Sequence, residues 1–234
     1  MKYVALLMVL VAPSALADRV IHTERSLYRN IAVIEDGDTR CLTFTSKRRN
    51  SRQSCIDLEE PDRLVLPYLP MVFAGLTVNP QPQSVLIIGL GGGTIADVFG
   101  ALYPGIEVDA VEIDPAVVDV AREYFGYSER PGATVHVRDG RVFVRRATRE
   151  RKRYDYIVLD AFNGDYIPEH LMTADFLKEC QQLLTENGVL VANTFSSSRL
   201  YDSESQTYAT VFGDFLNLRR RLGNRVIVAA ADGR

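Results

Sequence analysis

The sequence predicts a doubly wound α/β fold: a parallel sheet covered by helices on both faces, behind a small N-terminal β region. Three observations carry this reading. From Ser84 onward, short apolar runs rich in Val, Ile and Leu alternate with helical stretches, the rhythm of successive βαβ units. The first run ends in a glycine-rich turn, Gly89-Leu90-Gly91-Gly92-Gly93-Thr94, that opens into a helix. Carboxylates then stand at the ends of later runs, at Glu112, Asp139 and Asp160, where this architecture places its ligand crevice.

Composition fits one large domain, or one with a small appendage. Of 234 residues, 47 % are hydrophobic and 24 % charged, and the formal net charge is -3. A disordered chain, a disulfide mini-protein and a collagen-like repeat are excluded, and no global field attracts nucleic acid. The histidines (His22, His136, His170) are scattered, and the cysteines (Cys41, Cys55, Cys180) form no CxxC pair. No metal site is therefore expected, nor thioredoxin-type chemistry.

Residues 1–17 read as a secretory signal peptide: Lys2, an apolar run from Tyr3 to Ala12, then Ala15-Leu16-Ala17. The run is too short for a stable membrane span, which takes about 20 apolar residues. Export to the periplasm or the medium is expected, with a cytoplasmic protein as the alternative. In an oxidising compartment Cys41 and Cys55 can pair, leaving Cys180 free.

Residues 18–79 read as a β-hairpin module with a linking helix. Two apolar segments, 30–34 and 39–44, flank Glu35-Asp36-Gly37-Asp38, a hairpin turn signal. The polar, basic stretch 46–54 reads as a loop. Residues 58–76 read as a helix disturbed by Pro67 and Pro70, and Asn79-Pro80-Gln81-Pro82 breaks the chain.

Residues 80–234 read as the α/β domain. Strands are expected over 84–89, 107–113, 134–137, 154–159, 189–194 and 225–230. Helices are expected over 94–102, 115–125, 142–149, 174–184 and 208–222, the second capped by Asp114 with Pro115 at its first position. The basic stretch 145–153 lacks interleaved aromatics and reads as a solvated face.

The chemistry concentrates at the strand ends. Gly89, Gly91 and Gly93 let a backbone approach a ligand at a helix N-terminus, a device common to dinucleotide and adenosyl-sulfonium enzymes. Thr94 stands where G-x-G-x-x-G would place its last glycine, which counts against a dinucleotide. Glu112 ends an apolar strand, suited to the two hydroxyls of a ribose, and its burial demands a ligand or partner. Asp139 can accept from an adenine amino group while Gly140 leaves room for the ring, although an ordinary Asp-Gly turn explains the same pair. Asp160 is the candidate general base, and the loop after it brings Asn163, Asp165 and Tyr166 as candidate substrate contacts.

These segments resemble the spermidine synthase-like aminopropyltransferases over about half the chain, from Ser84 to Thr194. The resemblance rests on Val85-Leu86-Ile87-Ile88-Gly89, Val111-Glu112-Ile113-Asp114, Asp139-Gly140, Tyr154-Asp155-Tyr156-Ile157-Val158-Leu159-Asp160 and Leu171-Met172-Thr173. It implies an adenosylmethionine-dependent methyltransferase-like Rossmann fold, with Glu112 on the ribose, Asp139 and Gly140 on the adenine, and Asp160 as proton acceptor. The implied donor is decarboxylated S-adenosylmethionine, a co-substrate rather than a tightly bound cofactor. The implied acceptor is a small amine or polyamine, and the family analogy suggests a homodimer.

The departures cluster on the amine side. Gly92 stands where the family carries an amine-binding Asp, and Asn163 replaces the second acid of D-x-x-D-P. No Tyr-His-Glu appears near residues 64–68, and the family's nucleoside-contacting Gln falls near Arg29. Three readings compete: aminopropyl transfer to an unusual amine; methyl transfer from ordinary S-adenosylmethionine, with Arg29 or a helix N-terminus holding its carboxylate; and a non-catalytic nucleoside- or polyamine-binding protein. Export favours the last, because adenosyl donors are cytosolic. Retention of Asp160 favours catalysis.

Overall fold

The computed structural model describes residues 18–45, 50–163, 166–219 and 223–233; the expected signal peptide lies outside them. The chain opens with a four-stranded antiparallel sheet of β1 (Arg19–Arg25), β2 (Asn30–Asp36), β3 (Thr39–Thr45) and β4 (Asn50–Asp57), in that order. β2 and β3 form the expected hairpin around Gly37. β4 occupies most of the stretch expected to be a loop. Its polar composition hid a strand whose Ser54 and Cys55 are nevertheless buried, and Cys55 lies opposite Cys41 of β3, joined to it by a disulfide.

The helix expected over 58–76 shrinks to α1 (Leu69–Val72) followed by a 3-10 turn over Phe73–Thr77. Pro67 and Pro70 permit no longer run, since each lacks an amide donor. The segment before it is organised by Asp57, which accepts from the amides of Glu59 and Glu60, both at 3.0 Å.

The remainder builds a seven-stranded sheet from β5 (Ser84–Ile88), β6 (Glu107–Glu112), β7 (Ala133–Val137), β8 (Tyr154–Leu159), β9 (Leu184–Phe195), β10 (Leu216–Arg219) and β11 (Asn224–Ala230), ordered β10-β11-β9-β8-β5-β6-β7. The five strands from β9 to β7 run parallel. β11 and β10 are antiparallel additions, so the sheet is mixed rather than wholly parallel. The last helix, α6 (Tyr201–Phe212), begins earlier than expected and stops at Gly213, whose φ is 76°. The residues beyond it, expected to be helical, pair as β10 with β11 because the alternation of Leu216 and Leu218 suits a strand.

Helices α2 (Thr94–Leu102), α3 (Pro115–Tyr124), α4 (Gly140–Arg149) and α5 (Ala174–Gln181) follow β5, β6, β7 and β8. Alternation along the strands divides the core in two. Val85, Ile87, Tyr156 and Val158 pack with Phe99 of α2, while Leu86, Ile88, Ile157 and Leu159 pack with α4 and α5. The N-terminal sheet sits on α3, with Ile31, Val33, Leu42 and Phe44 against Ala116, Val117 and Val120. Among the described residues no helix is long and apolar enough to cross a membrane. Chain order reverses beside β5, which opens a crevice at the carboxyl ends of β5, β6 and β8.

Candidate active site

That crevice is an open cleft, floored by Gly89, Glu112, Asp139 and Asp160 and roofed by Arg29, Phe44 and Gln53 of the N-terminal sheet. Gly89 is required by the close passage of two strand ends. Its φ is 101°, and a Cβ there would lie 2.3 Å from the Asp160 carbonyl oxygen. Gly91 also lines the cleft, whereas Gly93 caps α2 with the Tyr127 ring packed behind it. At Gly92 a Cβ would meet Ser54 Oγ at 2.8 Å and the Phe125 ring at 2.9 Å. The place of the expected amine-binding acid is therefore filled by β4 and the end of α3.

Glu112 is 7 % exposed. Its carboxylate accepts from the amides of Leu90 (3.2 Å) and Asp114 (3.1 Å), so the partner demanded by its burial is backbone even without a ligand. Burial raises its pKa, and the two amides and the Arg29 charge pull in the opposite direction. Asp114 is fully buried, caps α3 through Ala116 N and accepts from Ser26 Oγ at 2.6 Å. Arg29 pairs with Asp114 at 3.5 Å, lies 4.3 Å over the Phe44 ring and donates to the Phe162 carbonyl at 3.0 Å. It thus straps the N-terminal sheet to the loop that follows Asp160.

Asp139 lines the cleft, but its oxygens are engaged: it caps α4 through Val142 N (2.9 Å) and pairs with His170 Nε2 (2.9 Å). Gly140 is needed first by packing, since a Cβ there would lie 2.6 Å from Ile88 Cγ2. Gly140 also lines the cleft beside Asp139.

Asp160 accepts from Tyr68 Oη at 2.8 Å and from Asn193 Nδ2 at 2.7 Å. Burial pushes its carboxyl up to about 6, against the downward pull of these two donors. A carboxyl tuned towards neutrality beside an open cleft is equipped to take a proton. Asn163 and Tyr166 bond to each other at the rim, Asn163 Nδ2 to Tyr166 Oη at 2.6 Å. Neither is among the residues that line the cleft. Asp165 lies outside the described residues.

Sequence reasoning missed Tyr68, Asn193 and His170. Tyr68, in the segment where the resemblance found no Tyr-His-Glu, donates its hydroxyl to Asp160. Tyr68 and Asp160 are 92 positions apart, and no local pattern links them. Asn193 carried no signal inside an apolar strand.

Residues 70–214 match the Spermine/spermidine synthase domain. Over 230 residues the chain is 48 % identical to a polyamine aminopropyltransferase of Vibrio vulnificus, covering 96 % of this chain and 77 % of that one. A probable spermidine synthase from Corynebacterium glutamicum superposes with a TM-score of 0.75 at 24 % identity, covering 89 % of this chain and 79 % of its own. Human methyltransferase-like protein 13, solved with SAH, superposes with a TM-score of 0.65 at 27 % identity, covering 70 % and 82 %. With these matches and this strand-end carboxylate pocket, the chain belongs to the spermine/spermidine synthase family.

Proposed function

We propose that the chain transfers an aminopropyl group from decarboxylated S-adenosylmethionine to an amine, with Asp160 as general base. The observation that carries this reading is the juxtaposition of Glu112 and Asp160 in one cleft, the latter buttressed by Tyr68 and Asn193. An acceptor arriving as an ammonium gives a proton to Asp160. Its lone pair attacks the aminopropyl carbon bound to the sulfonium, and the C–S bonding pair returns to sulfur, leaving neutral methylthioadenosine. The sulfonium is already a good leaving group, so the protein's share of the work is alignment and proton removal. Glu112 serves the ribose hydroxyls.

A second reading, methyl transfer from ordinary S-adenosylmethionine, is favoured by the filled space at Gly92 and by Arg29, a cation within the cleft wall. Likeness to a methyltransferase of known structure supports it. Incubation with either donor against a panel of amines separates the two readings. Aminopropylated product only with the decarboxylated donor, lost in Asp160→Asn, supports the first; methylated product supports the second; no turnover with either donor overturns both. Export is proposed as well, on the pattern of residues 1–17 and the Cys41–Cys55 disulfide. An intact Met1 on the protein from the cytosolic fraction would overturn it.

A further inference from the structure

Beyond the cleft, an unbroken polar chain runs from Asp160 into the antiparallel edge of the sheet. Asn193 of β9 is 3 % exposed and presents Nδ2 to Asp160 Oδ1 at 2.7 Å. Its own Oδ1 accepts from Asn224 Nδ2 at 2.9 Å. Asn224 opens β11, and Val226 is the residue directly opposite Asn193, so the two amides meet on the diagonal of an antiparallel ladder, within reach of a side chain.

The start of β11 is held unusually firmly. Arg225 is fully buried, pairs with Glu204 of α6, donates to Thr194 Oγ1 (2.9 Å) and Ser205 Oγ (2.8 Å), and stacks 4.0 Å from the Tyr201 ring. A buried guanidinium costs desolvation that its partners only offset. What it brings here is a defined position for the neighbouring Asn224.

We propose that Asn224 is a positioning residue that acts on Asp160 through Asn193: by engaging the amide oxygen of Asn193, it turns the amide hydrogens towards the carboxylate. An Asn193 that offered its oxygen instead would repel the ionised form of Asp160 and favour the protonated one. The inference rests on the reading of Asp160 as proton acceptor. The other groups around Asp160 are the Tyr68 hydroxyl, the cleft-lining Arg29, Glu112, Arg138 and Asp139, and His170 at the rim. Glu204 lies behind β9, matched by Arg225. Asn224 is partly exposed and bonds to Asn193 rather than to these groups.

The test is a carbon-13 NMR titration of the Asp160 carboxyl, assigned by its loss in Asp160→Asn. It is run on the full chain and on Asn224→Leu, Asn224→Ala and Asn224→Gln. One neutral hydrogen bond removed from the relay should raise the midpoint by about half to one pH unit in the Leu and Ala variants. Asn224→Gln, which keeps the donor, should fall back towards the parent. The acid limb of the kcat/KM profile should move by the same amount. Midpoints unchanged in the folded Leu and Ala variants overturn the proposal. If the parent turns over no donor, the transferase reading fails, and the NMR midpoints still decide the relay.

Discussion

Replacing the carboxyl of Asp160 by an amide should make the chain more stable at pH 8 and less stable at pH 4. The Asp160 pKa is raised from 3.8 to about 6 by burial. A carboxyl whose pKa is higher in the folded than in the unfolded state binds its proton more tightly when folded. Its contribution to stability is therefore most favourable below 3.8 and is lost as pH rises through about 6. A rise of two pH units corresponds to at most ~3 kcal/mol carried against the folded state at pH 8. Asp160→Asn removes that cost, but its amide hydrogens then face one of the two donors, Tyr68 or Asn193. One lost hydrogen bond costs ~1–2 kcal/mol. The net expectation is a gain of ~1–2 kcal/mol at pH 8 and a loss of similar size at pH 4. Urea unfolding at pH 4, 6 and 8, followed by circular dichroism with the disulfide intact, measures the difference. A difference that stays constant with pH, or that turns against the variant as pH rises, would refute the reasoning.

Glu112→Gln should weaken methylthioadenosine binding by ~10- to 100-fold, the loss of charge-assisted bonds to two hydroxyls; calorimetry giving equal affinity would remove Glu112 from the nucleoside site. Tyr68→Phe deletes a donor to the Asp160 carboxylate, so its pKa and the acid limb of the rate profile should rise by about one pH unit. An unmoved limb would take Tyr68 out of the site. The paired substitution Cys41→Ala and Cys55→Ala opens a link across a sequence separation of 14 and should cost ~3 kcal/mol in urea unfolding. A loss well under 1 kcal/mol would show that β4 holds its place without the bridge.

The parallel core of the sheet was legible from the residues because its strands are short runs rich in apolar residues and its helices start at local signals. Asp114-Pro115 marks the start of α3, and Thr94 to Leu102 coincides with α2. The pattern failed where partners rather than local periodicity decide. β4 is polar along much of its length and becomes a strand through pairing with β3, and residues 216–219 pair with β11 instead of extending α6.

The site divides the same way. Glu112, Asp139 and Asp160 were found from sequence because strand-end position in an α/β sheet is a one-dimensional property once the strands are known. That determined the fold class, the crevice and the acids around it. The tertiary structure decided what those acids do. Backbone amides hold Glu112, His170 and a helix start share Asp139, and residues from α1's threshold, β9 and β11 converge on Asp160. The physical reason is range: hydrogen bonding and desolvation act over a few ångströms in space, and those distances join residues that the chain separates by dozens of positions.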